Sequence, residues 1–300
     1  MWVQDERQID QFHEHKDHLY QVMRNTMSRP GEISTHASNS DLLAPALRAE
    51  MPEVEHIVPV EYPEGKGILK ADNYQLRADG LVAGQDFFQV FSFPLLLGSA
   101  EEVLAGVNKM VISDQIAAVL FGSSEKAIGQ LIELDQEDYE GVYAVSGIFA
   151  KSGYQTSEAF DYLIPNEQFL SRRDPAYINW GSNSAQVYLT LAEGVDPQEF
   201  NGKIKDFVRS RFQIDREPDG MDWVGQLFLR PYASKYLQGR FENGVVAGGR
   251  IEYIWLFSLI ALFIVVIAAI NFMNLSTAQV SRKFKQLGVQ QVVGAGRKPM

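Results

Sequence analysis

The first 250 residues alternate between segments with helical spacing of apolar residues and segments with the pattern of strands. The earliest apolar positions recur near helical spacing, so they predict a helix over residues 9–23. That helix is predicted to end before the turn signal Arg29-Pro30-Gly31. The apolar positions that carry this prediction are Ile9, Phe12, Leu19, Tyr20 and Met23.

Three further helices have recognisable start signals. Ser40 and Ser113 are candidate N-caps, and Gly122 is a candidate C-terminal stop for the helix that follows Ser113. Residues 196–199 (Asp-Pro-Gln-Glu) form a capping box with proline at the first helical position. Strands are predicted at residues 54–60, 109–113, 130–134, 143–149, 160–164, 186–191 and 224–229, with a strand pair in 67–83. Strands mixed with amphipathic helices predict an α+β or split βαβ body.

An apolar run near the C-terminal end differs from all that precedes it. From Ile254 to Ile270 only Ser258 is polar, and residues 253–281 carry no charge. Because about 20 apolar residues cross a bilayer, we predict a transmembrane helix over residues 251–277. The alternative is a buried core helix, but such helices rarely stay apolar on every face for about five turns. Four glycines in residues 239–249 predict a flexible joint before the helix.

The formal net charge of −11 is distributed unevenly along the chain. Residues 251–300 hold one acid and five bases, which leaves a net charge of −15 on residues 1–250. Such an acidic body repels nucleic acid, so no nucleic-acid partner is predicted. Bases without acids follow the apolar run, and this bias favours a cytoplasmic C-terminal end with residues 1–250 outside the cytoplasm.

The sequence contains no motif that would assemble a catalytic or cofactor site. It has no cysteine, which excludes disulfides, cysteine-ligated metals and catalytic thiols, and it lacks the phosphate-binding loop of ATPases. The segment FHEHKDH holds His13, His15 and His18, for which zinc binding and a solvated helix face are the two interpretations. We therefore predict no enzyme activity, no cofactor and no metal site, with an anchored enzyme as a minor alternative.

Seven segments, taken in order along nearly the whole chain, are similar to segments of one membrane protein family. They read VQDERQIDQFHEHKDHLYQV, FFQVFSFPLLLGSAEEVL, LFGSSEKAIGQLIEL, FDYLIP, YLTLAEGVDPQEF, GGRIEYIWLFSLIALFIVVIAAINFMNLSTA and SRKFKQLGVQQVVGAGR. Each segment alone is a weak signal, but their shared order is specific. On these segments the chain resembles the MacB/FtsX-type ABC transporter permeases.

The resemblance implies an α+β extracytoplasmic MacB-like domain in residues 1–250, with a porter-like lobe and an inserted second lobe. A transmembrane helix would follow in residues 251–277, and a cytoplasmic coupling segment would begin in residues 278–300. Family members have another membrane helix before this domain and further helices after it. The resemblance therefore implies that the chain is a fragment or a truncated reading frame.

The segment SRKFKQLGVQQVVGAGR resembles the basic segment through which family members meet their ATPase subunit. Gln290 and Gln291 stand where bases are usual in the family, and an acid is usual at position 286, so any salt-bridge contribution to docking is weaker here. A juxtamembrane stretch bound to anionic lipid is the alternative. The candidate ATPase-coupling residues are Gln286, Leu287, Gly288, Val289, Gly294, Ala295 and Arg297.

By this resemblance, the chain is expected to be a permease subunit of the inner membrane. It would transmit motion driven by ATP in a cytoplasmic ATPase to a periplasmic domain, for efflux, lipoprotein extraction or control of wall hydrolases. The expected partners are that ATPase subunit, membrane lipid, a second permease copy or half, and a periplasmic protein. The alternative function is a single-pass membrane sensor or ligand-binding module.

Overall fold

A computed structural model describes residues 2–212 and 222–294 of the chain. The chain divides into two units, Met1–Gly249 and Arg250–Met300, which we call the body and the helix unit. The helix unit contains one long helix, which is described with the functional site. The body is a mixed α/β structure built on one large sheet.

The elements of the body follow the chain in three groups. The first group comprises α1 (Trp2–Gln8), β1 (Leu19–Arg29), β2 (Glu32–His36), β3 (Ser38–Asn39), α2 (Leu43–Glu50) and β4 (Val54–Glu61). The second group comprises β5 (Gly67–Ala71), β6 (Tyr74–Ala78), β7 (Gly80–Ala83), α3 (Phe87–Val90), β8 (Leu95–Leu97), β9 (Lys109–Ser113), α4 (Asp114–Phe121), α5 (Ser124–Ala127), β10 (Leu131–Asp135), β11 (Gly141–Phe149), β12 (Tyr162–Pro165) and α6 (Asn166–Arg172). The third group comprises β13 (Ala185–Leu191), α7 (Pro197–Ile204), β14 (Asp222–Pro231), α8 (Tyr232–Lys235), β15 (Arg240–Glu242) and β16 (Val245–Gly248).

The first and third groups together form one half of the sheet, in the order β14-β1-β13-β4. Strands β1 and β4 are both antiparallel to β13, which lies between them, so β1, α2 and β4 form a split βαβ unit. With α7 connecting β13 to β14, this half has the ferredoxin-like βαββαβ arrangement. We call it the ferredoxin-like half, and it confirms the predicted α+β class.

The second group is inserted between β4 and β13 and continues the same sheet in the order β7-β12-β9-β11-β10-β5-β6. We call it the inserted half. Its pairs β7–β12 and β9–β11 are parallel, whereas the remaining neighbours are antiparallel. The two halves meet at β4 and β7 through only two paired positions, Val60 with Ala83 and Glu61 with Val82.

Each half has its own hydrophobic core, and a third core fills the junction between the halves. In the ferredoxin-like half, Leu43 and Leu47 of α2 and Phe200 of α7 pack against the sheet. In the inserted half, α4 packs its buried residues against β5, β10 and β11. The junction core is rich in phenylalanine from α3 and the segment after it. Because this core contains side chains from both halves, the two halves pack together as one compact unit.

The predicted N-cap of α2, Ser40, is wrong. Leu42 precedes α2 without a side-chain cap, and the Ser40 hydroxyl accepts a hydrogen bond from the Leu42 amide, two residues too early to cap the helix.

The helix starts at α4 and α7 agree with the sequence analysis. The Ser113 hydroxyl accepts a hydrogen bond from the Ile116 amide, and Gly122 ends α4 in the left-handed conformation at φ +82°. The Asp196 carboxylate caps α7 in the same way, through the amide of Gln198. These local signals predict the elements well because each supplies the partner for an otherwise unpaired backbone group.

The predicted helix over residues 9–23 is wrong. Leu19, Tyr20 and Met23 lie in strand β1, and the helix that does occur, α1, ends earlier at Gln8. Leu19 faces the junction core, whereas Tyr20 faces the core beneath α2 and α7. Since β1 is buried on both faces, its apolar residues do not alternate with polar ones, and periodicity alone mistakes them for a helix.

A β-hairpin occupies the segment in which the glycines predict a flexible joint. Strands β15 and β16 pair with each other, and the Asn25 side chain donates a hydrogen bond of 3.1 Å to the Gly244 carbonyl. The rings of Phe228 and Phe241 also pack edge to face, with centroids 6.1 Å apart. These contacts attach the hairpin to β1 and β14, so the predicted flexible segment is a structured part of the body.

Candidate functional site

The helix unit contains α9 (Arg250–Val292), which is 43 residues and about 65 Å long. Its apolar side chains are exposed around the whole helix, as the 71% exposure of Phe272 illustrates. Within the residues that the structure describes, it is the one helix long and apolar enough to cross a membrane. Because nearly all of its apolar run is exposed, α9 is not the buried core helix of the alternative interpretation.

The predicted coupling segment lies partly on the end of α9. Gln286, Leu287, Gly288 and Val289 are consecutive exposed positions, so of these only Gln286 and Val289 lie above one another on the helix. Gly294 follows the helix with φ +77°, a conformation that favours glycine. Two of the coupling candidates, Ala295 and Arg297, lie outside the described residues.

Gly288 has open space around it. A Cβ atom built at this position would meet no atom within 4 Å apart from the helix's own backbone. Glycine in a helix interior costs roughly 1 kcal/mol relative to alanine, so this position is not explained by packing inside the chain. An exposed glycine of this kind leaves room for another molecule to approach the helix backbone.

In the body, polar contacts converge on residues 154–158, which lie in the connection between β11 and β12 and which we call the 154–158 loop. Asp10, just after α1, is buried and accepts hydrogen bonds from this loop through both carboxylate oxygens. The Asp10 amide in turn donates to the Gln155 carbonyl over 2.9 Å. Four hydrogen bonds therefore join Asp10 to this loop of the inserted half.

The same loop reaches the end of the third group of elements. Glu158 forms a salt bridge with Lys235 of α8, and both side chains are largely buried. The Lys235 ammonium also lies 3.1 Å from the Tyr188 hydroxyl and above the rings of Tyr188 and Tyr232. Burial acts to lower the pKa of Lys235, but Tyr188 and Glu158 outweigh it and raise the pKa above its usual value. Lys235 therefore stays charged in its buried position.

A chain of hydrogen bonds continues from Lys235 across the ferredoxin-like half. The Tyr188 hydroxyl donates to Gln186 over 2.8 Å, and Gln186 accepts a second hydrogen bond from Gln21 over 2.7 Å. Gln21 in turn accepts a hydrogen bond from Arg230 on β14. This chain crosses β13, β1 and β14, so the 154–158 loop is connected to three strands as well as to both ends of the body.

The three histidines of FHEHKDH do not share a helix face. The side chain of His13 is buried among the rings of Phe12, Phe91, Phe93 and Tyr232, and its Nδ1 accepts a hydrogen bond from the Ser92 amide. Burial, with a smaller contribution from the charge of Lys235, lowers the pKa of His13 to about 4. In the described part of the chain, no three histidine, aspartate or glutamate side chains are grouped to hold a metal ion.

A second buried polar cluster lies where the two halves of the sheet meet. Glu61, the last residue of β4, accepts a 3.0 Å hydrogen bond from Asn166, the first residue of α6. Burial raises the pKa of Glu61 to about 7, and the neighbouring Asp41 adds to the rise, whereas Arg173 opposes it. Arg173 also pairs with Asp41 over 2.9 Å. The cluster joins the first group of elements to α6 at the entrance to the inserted half.

Sequence reasoning did not identify the 154–158 loop contacts or the Glu61 cluster. Lys235 and Glu158 are 77 residues apart, and Asp10 and Ser157 are 147 residues apart, so no local pattern relates them. The composition of the loop is that of an ordinary solvated connection. A buried charge needs a partner, and this rule could have identified these contacts. It could not be applied to the sequence, because the sequence does not show which charged residues are buried.

An α+β body followed by a long apolar helix is the architecture of a membrane-anchored domain, and comparison with known proteins identifies which one. The family model described as the MacB-like periplasmic core domain matches residues 1–207. The chain therefore belongs to this family, which confirms its resemblance to the MacB/FtsX-type ABC transporter permeases. Proteins of this family are components of transporter permeases and are not classical enzymes.

Solved structures provide a separate comparison of the fold. A domain assigned to a permease protein from Porphyromonas gingivalis has a TM-score of 0.60 at 21% identity, covering 73% of this chain and 92% of that one. The periplasmic region of MacB from Actinobacillus actinomycetemcomitans has a TM-score of 0.47 at 14% identity, covering 71% and 88%. The extracellular domain of the noncanonic ABC-type transporter YknZ from Gram-positive bacteria has a TM-score of 0.45 at 13% identity, covering 71% and 99%. No curated protein sequence matches the chain.

Proposed function

We propose that this chain is the permease part of an ABC transporter in which a separate cytoplasmic ATPase drives motion of the body through α9. The body would lie in the periplasm, and the work would be mechanical, as in efflux, lipoprotein extraction or control of wall hydrolases. We divide the chain into an extracytoplasmic domain in residues 1–250, a transmembrane helix in 251–277 and a cytoplasmic coupling segment in 278–300.

The observation that carries this proposal is the continuity of α9. The hydrocarbon core of a membrane is about 30 Å thick, and a helix crosses it with about 20 residues. Since α9 has 43 residues, it is long enough to span the bilayer and continue to the coupling candidates without a break. A continuous helix passes a displacement along its axis, whereas a loop at the membrane surface would absorb part of it.

The charge distribution supports the proposed orientation. Arg282, Lys283 and Lys285 follow the apolar run on α9, and no acid occurs after Glu252. By the positive-inside rule, this end of the helix belongs in the cytoplasm, where an ATPase subunit is accessible. The other proposed partners are membrane lipid around α9, a second permease copy or half, and a periplasmic protein at the body.

Co-purification tests this function directly. The complete permease, carrying an affinity tag, is co-expressed with a P-loop ATPase encoded by a neighbouring gene and purified in detergent. We expect the ATPase to be retained, and we expect the chain without it to hydrolyse no ATP, because the sequence lacks a phosphate-binding loop. Failure to retain the ATPase, or stoichiometric ATP binding by this chain alone, would contradict the proposal and favour a single-pass sensor.

A further inference from the structure

The 154–158 loop contacts two segments that are more than 200 positions apart in the sequence. On one side it holds Asp10, which follows α1, and on the other side it holds Lys235, at the end of α8. The loop itself belongs to the inserted half, between β11 and β12. Three separate parts of the body therefore meet at five consecutive residues.

The contact with Asp10 is specific in its geometry. Asp10 has φ +61°, a left-handed conformation that is uncommon for residues other than glycine. Its carboxylate accepts hydrogen bonds from the Ser157 amide over 2.8 Å, the Ser157 hydroxyl over 2.5 Å and the Thr156 hydroxyl over 3.1 Å. A costly backbone conformation persists only where surrounding contacts hold it, and here the hydrogen bonds from the loop hold Asp10 in place.

The contact with Lys235 differs from the salt bridges on the surface of the body. The side chains of Lys235 and Glu158 are 17% and 13% exposed, whereas the side chain of Lys203, which pairs with Glu53, is 54% exposed. Exposed pairs contribute little to stability. Removing one partner of a buried pair leaves the other charge uncompensated, so the pair strongly resists separation.

We propose that the 154–158 loop is a clasp that holds the segment around Asp10 and the segment around Lys235 in a fixed relation, so that displacing one displaces the other. Ser157 and Glu158 are adjacent in the chain, so a shift of Lys235 is transmitted to Asp10 through one peptide unit. This inference deepens the proposed function, on which its role in transport rests. It identifies a contact by which motion that enters the body at one end would reach both the other end and the inserted half.

Hydrogen exchange measured by mass spectrometry tests the clasp on the full chain in detergent. The variant is Lys235→Met, which keeps the length of the side chain and removes the charge that pairs with Glu158. The readout is the amide of Asp10, a residue that shares no hydrogen bond or salt bridge with Lys235. We expect exchange at the Asp10 amide to become at least about tenfold faster. The two segments also meet directly, because the Tyr236 hydroxyl donates a 2.8 Å hydrogen bond to Glu6. Tyr236→Phe removes that direct contact and should leave exchange at Asp10 unchanged.

Lys203→Met is the matched control, because it removes an exposed lysine from a salt bridge of the same body. It should leave the Asp10 peptide unchanged. Exchange in α4, whose packing lies in the inserted core, reports whether each variant is folded. Unchanged exchange at Asp10 in a folded Lys235→Met variant would show that the buried salt bridge acts only locally, and the clasp would be rejected.

A second variant disrupts the contact with Asp10 and is read out near Lys235. It tests the proposal even if Lys235→Met does not fold. Asp10→Asn keeps the shape of the side chain and tolerates a left-handed backbone, but it removes the charge that the loop hydroxyls contact. We expect faster exchange at the Gln238 amide, which donates to the Ser234 carbonyl at the end of α8. No change there would overturn the proposal. Neither experiment needs an ATPase, so a failure of co-purification and a failure of the clasp remain distinguishable.

Discussion

At the scale of single residues, the body buries several charged groups. The sequence around each of them is typical of an exposed polar surface. Lys235 and Asp10 are held at the 154–158 loop, and Glu61 is held at the junction between the two halves of the sheet. Each of these groups is compensated by specific partners, which is the condition under which buried charge is tolerated. The pKa of Lys235 and the pKa of Glu61 are both raised in the fold, so the ionisation of these two groups is coupled to the stability of the body.

Glu61 gives a pH dependence whose sign can be stated. Its pKa is about 7 in the folded body and near 4.5 when unfolded, so the unfolded chain loses its proton first as pH rises. The free energy of unfolding therefore falls between about pH 4.5 and pH 7, by roughly 3 kcal/mol for a shift of this size. Glu61→Gln keeps an acceptor for Asn166 and removes the titration, so it should be more stable than the wild type at pH 8.

Urea unfolding at pH 5 and pH 8, followed by tryptophan fluorescence in detergent, measures this difference. Glu55→Gln is the matched control, because Glu55 lies on the same strand, β4, but is exposed. The control should follow the pH dependence of the wild type. If Glu61→Gln also follows the wild type at both pH values, the buried carboxylate does not carry the predicted cost.

At the scale of elements, the sequence predicts those helices whose formation depends on neighbouring residues in the chain. The helices α4 and α7 are predicted from their caps, and α9 is predicted from its uninterrupted apolar run. Strand β1 is not predicted, because both of its faces are buried. The β15–β16 hairpin is not predicted either, because its glycines suggest a flexible backbone, whereas contacts with Asn25 and Phe228 hold it in place. In these two cases the conformation depends on contacts with distant parts of the chain, and the periodicity of apolar residues carries no information about such contacts.

The membrane placement of α9 is tested by cysteine labelling, which is clean because the chain has no cysteine. In the complete permease, a single cysteine at Ser152 should react with an impermeant maleimide applied from outside, because this loop position is exposed. Ser152 is preferable to Ser184, whose hydroxyl is engaged with Asp41 and Arg173. A single cysteine at Gln290 should react only after lysis, since the proposed orientation places it in the cytoplasm.

The opposite labelling pattern would reverse the orientation of α9. Reaction of both positions from outside would show that the helix does not cross the membrane. Both results are read against total labelling in lysed cells, which corrects for differences in expression and in cysteine reactivity.

At the scale of the whole molecule, the sequence predicts the α+β class but does not predict how the sheet is joined. The second group of strands enters between β4 and β13 and extends the sheet through only two paired positions. Such a junction depends on contacts between residues far apart in the chain, and so do the 154–158 loop and the Glu61 cluster. The result is a body whose two halves share one junction core and whose two ends meet at one loop.

We propose that motion of an ATPase enters the chain through the end of α9, and a substitution at Gly288 tests this most directly. A Cβ atom added at Gly288 meets open space and the position is exposed, so Gly288→Leu should not disturb the helix or its insertion into the membrane. The matched control is Gly202→Leu, because Gly202 is also a helical glycine with open space around it, but it lies on α7 of the body.

The decisive measurement is transport-coupled stimulation of ATP hydrolysis in the complete permease with its ATPase. We predict that Gly288→Leu lowers this stimulation several-fold at normal expression and insertion, whereas Gly202→Leu leaves it near the wild-type level. We expect the loss to arise from the partner, because a Cβ atom at Gly288 meets no atom of this chain within 4 Å outside its own helix backbone. Unchanged stimulation in Gly288→Leu would contradict the account and leave this segment as a stretch bound to lipid.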